Sequence, residues 1–239
     1  MKIRGERECK GCGTRWSYYE TGSVSCPSCG SVHSVGVDER TEHTASADDL
    51  DLTPVRKRSD DLELADLAGE AESVCGEYVR GAGFITAGEL QSLDDTYLAA
   101  EELRHVGARL RRAMRVSDDE EYYFLELLAG ADEGERPLPT DVPDSLRSAR
   151  GLAAAAAVDA YRTDVRRFLE DDPDRTAARL LASLDEHRKR VEALDGDVSP
   201  RTAESLVDVA RAVGRGLVYD DETAFVEAEN RLANLAPGE

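Results

Sequence analysis

The sequence predicts a two-part fold, in which a small β module at the amino terminus is followed by an all-α helical bundle of about six or seven helices. Three observations support this. Four of the five cysteines lie within the first 30 residues, and apolar residues recur at intervals of three and four from Leu62 onward. Charge also divides the chain, because residues 1–40 hold six basic and five acidic residues whereas residues 41–239 hold 24 and 45. We therefore expect a β module at 1–40, an acidic flexible linker at 41–61 and a helical domain at 62–239.

The first module contains two Cys-x-x-Cys pairs, which are Cys9 with Cys12 and Cys26 with Cys29. Each pair places two sulfur atoms on one tight turn, and two facing turns complete the tetrahedron that zinc prefers. Gly13 and Gly30 follow the turns, where a positive φ lets backbone amides face the sulfurs. Four cysteines leave no open position for water, so we predict one structural Zn²⁺. A redox pair of motifs and an iron centre are the alternatives.

Short strands are expected around these turns. Residues 14–19 predict a strand, 20–23 a turn and 24–25 a return strand, and the alternation over 31–37 predicts a third strand. The arrangement is that of a zinc ribbon. A module of ~40 residues buries too little apolar area to fold alone, so the metal is expected to be necessary for folding.

The helical domain is predicted from five apolar stripes, which run over residues 64–78, 90–114, 146–168, 177–194 and 203–217. Two shorter helices follow acidic starts, at 118–128 and 221–235. Pro143, Pro173 and Pro200 lie where helices should begin. The segment 41–61 shows neither helical nor alternating periodicity, which is why we expect a linker there.

Composition restricts the possible partners. The net charge is −20, and only four of the 30 basic residues are lysines. A field of this sign repels phosphates at low ionic strength and argues against general nucleic-acid or acidic-membrane binding. The bias resembles that of proteins from salt-in halophiles. The amino terminus has no apolar stretch and the longest uncharged apolar run is 152–158, so we expect a cytoplasmic protein.

The two cysteine pairs, with CPSCGS at the second pair and VGVDER after it, resemble the zinc ribbon of transcription factor IIB. The ribbon with its acidic helical tail is more closely similar to an uncharacterised haloarchaeal family of transcription factor IIB-type zinc ribbon-containing proteins, and this resemblance implies no activity. In factor IIB itself, the ribbon docks on RNA polymerase and two helical repeats grip DNA. Those repeats need a basic face, whereas residues 41–239 are strongly acidic.

The function expected from the sequence is therefore a non-enzymatic interaction module whose ribbon docks on protein or nucleic acid, in transcription or RNA handling. The helical domain would provide a second surface or form a homo-oligomer. Aromatic and basic side chains on the near-neutral module are the candidate partner contacts, namely Lys10, Arg15, Trp16 and Tyr19. Trp16 and Tyr18 share one strand face, which could also pack over the zinc hairpin, and Tyr19 on the other face is expected to be exposed.

The alternative is an enzyme with its site in the helical bundle and the ribbon as a spacer. A deep pocket lined by carboxylates, arginine and His105 or His187 would favour it. His187 and Cys75 lie on apolar stripes, which is typical of core residues. Glu102 and His105 have the ExxH spacing of di-iron proteins, but no second ExxH is present. In the linker, the basic run 56–58 is a candidate for contact with nucleic acid.

Overall fold

The computed structural model describes residues 1–46 and 48–235. Its strands are β1 (Lys2–Arg4), β2 (Glu6–Cys9), β3 (Arg15–Ser17), β4 (Ser34–Gly36), β5 (Arg40–Glu42), β6 (Ile85–Thr86) and β7 (Glu89–Leu90). Its helices are α1 (Tyr18–Thr21), α2 (Thr53–Arg56), α3 (Leu64–Gly81), α4 (Asp95–Arg112), α5 (Asp118–Gly130), α6 (Arg147–Phe168), α7 (Arg175–Ala193), α8 (Pro200–Tyr219) and α9 (Glu222–Asn234). Two 3₁₀ turns cover Ala131–Glu133 and Asp144–Leu146. The expectation of a mostly helical chain with a small amino-terminal β module is confirmed. Within the described ranges, no helix has the length and apolarity needed to cross a membrane.

The five helices predicted from apolar stripes and the two predicted from acidic starts are all present, from α3 to α9. Five of these helices start at a capping side chain, since Asp94, Ser117, Asp174, Ser199 and Asp221 each accept a hydrogen bond from a backbone amide of the first turn. At α5 this becomes a full capping box, because the Glu120 side chain also bonds back to the Ser117 amide.

One helix start was predicted wrongly. The stripe beginning at Leu90 indicated a helix from that residue, but Leu90 belongs to the β6–β7 hairpin and α4 begins at Asp95. Leu90 and Leu93 are both buried in the same core as Tyr97, so their spacing matches the helical pattern without being helical. Asp94 starts the helix by accepting the Tyr97 amide at 2.6 Å.

The core consists of two apolar clusters that share α4 and α6. One cluster is formed mainly by α6, α7, α8 and α9 with the β6–β7 hairpin. The other is formed by α3, α4 and α5 with the segment before α3. Because α4 and α6 contribute residues to both clusters, all the long helices belong to one continuous packed structure.

A buried ion-pair network lies among α4, α5, α6 and α8. Arg150 bonds to Glu102 at 3.1 Å and to Glu204 at 2.6 Å. Arg136 bonds to the same two carboxylates, each at 2.9 Å. The Tyr123 hydroxyl also donates to Glu102. Burial alone would lower the pKa of Arg150, but Glu102, Tyr123 and Glu204 together outweigh it and the pKa is raised.

The segment 41–61 differs from the flexible linker that we expected. Residues 41 and 42 belong to β5, and three apolar side chains, Leu50, Leu52 and Val55, are buried in the second cluster. Arg56 forms a two-pronged ion pair with Asp132, with both bonds at 2.7 Å. The buried apolar residues of this segment do not recur at a regular interval. Periodicity in the sequence therefore does not reveal its contacts.

The β module is attached to the helical domain through β5 and the β6–β7 hairpin. The Gly88 amide donates to the Glu42 carbonyl at 2.8 Å, and the Thr44 amide donates to the Ile85 carbonyl at 2.9 Å. The Thr44 hydroxyl donates to Asp164 of α6 at 2.6 Å and accepts the Ile85 amide at 3.0 Å. We call this set of contacts the Thr44 joint.

Candidate metal centre

The four-cysteine site is built on a three-stranded antiparallel sheet with the order β3-β2-β4. The first cysteine turn joins β2 to β3, and the second precedes β4. A strand over 31–37 was predicted, and β4 covers its central part. The predicted strand over 14–19 is shorter than expected, because Tyr18 and Tyr19 begin the helical turn α1, and residues 24–25 form no strand. The central strand β2 was missed because Glu-Arg-Glu-Cys has no apolar alternation.

The two cysteine turns repeat one backbone pattern. In the first, the Cys9 amide donates to the Thr14 carbonyl at 2.9 Å, and the Gly13 amide donates to the Cys9 carbonyl at 3.0 Å. In the second, the Cys26 amide bonds to Ser31 and the Gly30 amide bonds to Cys26, both at 2.9 Å. The predicted positive φ is confirmed at both glycines, which have φ of 77° at Gly13 and 71° at Gly30.

The sequence-predicted cysteines come together as a cluster of four free thiols. Their sulfur atoms all lie within 4.8 Å of one another. Cys9 and Cys29 are 3.6 Å apart between sulfurs, and so are Cys12 and Cys26. A disulfide would need about 2.05 Å, whereas four sulfurs around one cation at bonds of about 2.3 Å would lie about 3.8 Å apart. The donor set and its spacing therefore fit a metal ion.

Hydrogen bonds and the closeness of the other thiols shift the pKa values of three of the four thiols in different directions. Backbone amides lower the pKa of Cys9, and the Gly11 amide lies 3.3 Å from its sulfur. The Thr14 hydroxyl, 3.2 Å away, lowers the pKa of Cys12 to about 6. The Ser31 amide acts to lower the pKa of Cys29, but the three other thiols outweigh it and raise that pKa to about 12. A cation bound among these sulfurs would favour their thiolate form.

The two basic residues proposed for contact, Lys10 and Arg15, are exposed and share one carboxylate. Lys10 bonds to Glu8 at 3.1 Å and Arg15 bonds to Glu8 at 2.9 Å. Both contacts lower the pKa of Glu8. Their charges are therefore partly neutralised within the module.

Of the two aromatic candidates, Trp16 is buried and Tyr19 is partly exposed. Trp16 is buried with Cys9 and Cys26, and its indole N–H donates to the Ser23 carbonyl at 3.0 Å. Tyr19 was expected to be exposed but is half-buried. Its ring occupies the space over Gly5, where a Cβ would lie 1.9 Å from it. Trp16 thus belongs to the core of the module, and the half-buried Tyr19 packs against Gly5.

Four valines of the β module are exposed, and the sequence interpretation did not assign them to function. We define the valine surface as the four residues Val24, Val32, Val35 and Val37, all at least 40% exposed. They lie on or beside β4, and the Ser34 hydroxyl bonds to the Val24 carbonyl at 2.7 Å. The alternation over 31–37, which includes three of these valines, had indicated only a strand, although valines on a sheet this small must partly face solvent.

The histidines proposed for a site in the helical domain line separate cavities. His105 lines a cavity of about 260 Å³ with Arg109 and Arg112, and burial lowers its pKa to about 4. His187 lines another cavity of about 410 Å³. Cys75 is fully buried, as expected for a core thiol, and burial raises its pKa to about 12. The structure does not bring these three residues together around one cavity.

Together, the fold and the cluster define a class of protein, in which a four-cysteine antiparallel β module with metal-binding geometry precedes a helical domain. The chain belongs to a family of unknown function, DUF7117, whose sequence profile matches residues 1–232. The match spans both parts of the molecule. No curated protein and no solved structure matches this chain.

Proposed function

We propose that Cys9, Cys12, Cys26 and Cys29 bind one structural Zn²⁺ and that the resulting zinc ribbon is a docking module without catalytic activity. The observation that carries this proposal is the cluster of four thiols within 4.8 Å, held by two matching turns. Zinc prefers four tetrahedral thiolates, and a site closed by four protein ligands has no position for a reacting water. The metal then supplies folding free energy to a module with a very small core.

The features of the ribbon surface favour a protein as its binding partner. Trp16 is buried, so the ring best suited to stack on a nucleic-acid base is not presented. Lys10 and Arg15 already bind Glu8, which weakens their attraction for phosphate. The valine surface instead offers apolar area that a protein partner would bury.

The likeness of the ribbon to that of transcription factor IIB supports a place in transcription or RNA handling. In this proposal the ribbon contacts the protein machinery, and the acidic helical part stays away from the nucleic acid. The excess of carboxylates over lysines supports a salt-rich cytoplasm as the working solvent. Partner binding is therefore best measured in molar potassium chloride, where the screening length is about 3 Å.

The valine surface is tested by affinity capture with the full zinc-loaded chain, comparing Val32→Asp with Val226→Asp. Both valines are exposed, at 66% and 57%, but Val226 lies on α9 in the helical domain. We expect Val32→Asp to lose partners that both the parent and Val226→Asp retain. Equal capture by all three chains would contradict docking through this surface. Loss of capture after nuclease treatment would assign the partner to nucleic acid instead.

A further inference from the structure

The cavity of about 260 Å³ that His105 lines is open to solvent and lies between the last turns of α4 and the first turn of α6. Its lining consists of His105, Ala108, Arg109, Arg112, Ala113 and Ala149. These are three basic side chains and three alanines, so no acidic side chain lines the cavity. In a chain with a net charge of −20, this is a local concentration of positive charge.

The two arginines of this cavity carry positive charge that no carboxylate compensates directly. On the same helix, Arg104 pairs with Glu101 at 2.6 Å and Arg111 pairs with Glu72 at 3.0 Å. Among the described residues, neither Arg109 nor Arg112 forms such a pair. Like charges three or four positions apart destabilise a helix. The carbonyl end of α4 attracts cations, but with about half a negative charge it does not neutralise two guanidinium groups.

Contacts with the rest of the protein fix the orientation of Arg109 and the protonation of His105. Arg109 Nε donates to the Ser145 carbonyl at 3.1 Å, which leaves the other N–H groups of its guanidinium for a ligand. His105 Nε2 lies 3.0 Å from Arg104 Nη2. Because a guanidinium can only donate, Nε2 accepts, and the proton of the neutral ring is on Nδ1. Burial lowers the pKa of His105 to about 4, so the ring is neutral at pH 7.

We propose that this cavity binds a phosphate group, of free phosphate or of a small phosphate ester, between the guanidinium groups of Arg109 and Arg112. Arginine donates paired hydrogen bonds to phosphate oxygens, and His105 adds a neutral N–H donor. A phosphate group carries about −1.5 to −2 charges at pH 7 and so compensates both arginines, which one carboxylate does only in part. Both arginines are exposed, so the anion reaches them from solvent. The site lies in the helical domain and does not depend on the metal or on the partner of the ribbon.

The test follows amide shifts of the full chain by NMR while inorganic phosphate or glycerol 3-phosphate replaces potassium chloride. Ionic strength is held at about 1 M, where general electrostatic attraction is screened within about 3 Å and chloride is the reference anion. We expect saturable shifts at the amides of residues 105–113 and 149. Binding of glycerol 3-phosphate at least as tight as that of phosphate would indicate an ester as the ligand, and weaker binding would indicate the free anion.

Arg112→Gln and Arg115→Gln are a matched pair, because each removes one positive charge at an exposed position and only Arg112 lines the cavity. We expect Arg112→Gln to weaken phosphate binding about tenfold, as for the loss of one charge-assisted hydrogen bond. Arg115→Gln should change it by less than about twofold, since its charge is screened. Both variants should unfold at the parent's midpoint or higher in the absence of phosphate. The proposal is overturned if phosphate gives no saturable shifts at these amides, if Arg112→Gln binds it as tightly as the parent, or if both variants weaken binding equally.

Discussion

Glu102 is a fully buried carboxylate whose two oxygens are both engaged. One accepts from Tyr123 and Arg150, and the other accepts from Arg136. Removing this carboxylate would leave the arginines that it binds with less countercharge, and a buried arginine without a counterion is strongly unfavourable. The glutamate of the ExxH spacing is therefore accounted for by this ion-pair network, without a metal ion in the helical domain.

We expect Glu102→Gln to lower the free energy of unfolding by about 3 kcal/mol, because Arg136 and Arg150 then share one remaining carboxylate, that of Glu204. Denaturant unfolding measures this change. The control is Glu229→Gln, which removes an ion pair whose side chains are 60% and 56% exposed. That control should cost less than about 0.5 kcal/mol. Equal effects of the two substitutions would show that the buried network contributes no more to stability than an exposed ion pair does.

His105 makes stability depend on pH. Burial, and next the charge of Arg104, lower its pKa from 6.5 to about 4. Glu101, 3.8 Å away, is engaged by Arg104 at 2.6 Å. As the pH falls below about 6.5, the unfolded chain takes up a proton here that the folded chain does not, so stability decreases until the pH reaches about 4.

This residue should account for about 2 kcal/mol of the stability lost between pH 7.5 and pH 5. His105→Gln keeps a polar group beside Arg104 but cannot take up the proton. The unfolding free energy of both chains is measured in urea at pH 7.5 and at pH 5. Between these pH values, we expect it to fall by about 2 kcal/mol less in the variant than in the parent. An identical fall in parent and variant would exclude His105 as the titrating group.

At the scale of elements, the helices could be predicted because their signals are local. The stripe of α8, for example, repeats within one segment and starts at Pro200 after the capping Ser199. The strands of the β module could not be predicted as well. Strand β2 pairs with residues 15–17 and 34–36, so its place depends on the cysteine turns and not on its own residues. Leu52 shows the same limit, because it is buried in a cluster formed with helices far along the chain.

The Thr44 joint connects the β module to the β6–β7 hairpin and to α6, and its contribution to stability can be tested. Thr44→Val keeps the shape of the side chain but removes the hydroxyl that bonds to Asp164 and Ile85. We expect a loss of about 1–2 kcal/mol in stability and faster hydrogen exchange at the Ile85 amide. Thr163→Val, at an exposed position of α6, is the control and should leave that amide protected. Unchanged exchange in Thr44→Val would contradict the role of this joint.

At the scale of the whole molecule, charge and chemistry are separated along the chain. Nearly all of the net charge of −20 belongs to residues 41–239, whereas residues 1–40 are close to neutral before their thiolates are counted. The cysteine pairs could be predicted from their spacing alone, since a metal fixes geometry that a small core cannot. The burial of Trp16 and the exposure of the valine surface depend on how the strands pair, which the spacing does not contain.

The central claim is that the four clustered cysteines bind one zinc ion. Zinc content per chain, measured by native mass spectrometry and metal analysis, tests it most directly when the parent is compared with Cys26→Ser and Cys75→Ala. Cys75 is buried in the helical domain and serves as the control. We predict one zinc per chain in the parent and in Cys75→Ala, and a loss of stoichiometric zinc in Cys26→Ser. Stoichiometric zinc retained by Cys26→Ser, or none bound by the parent, would contradict the account.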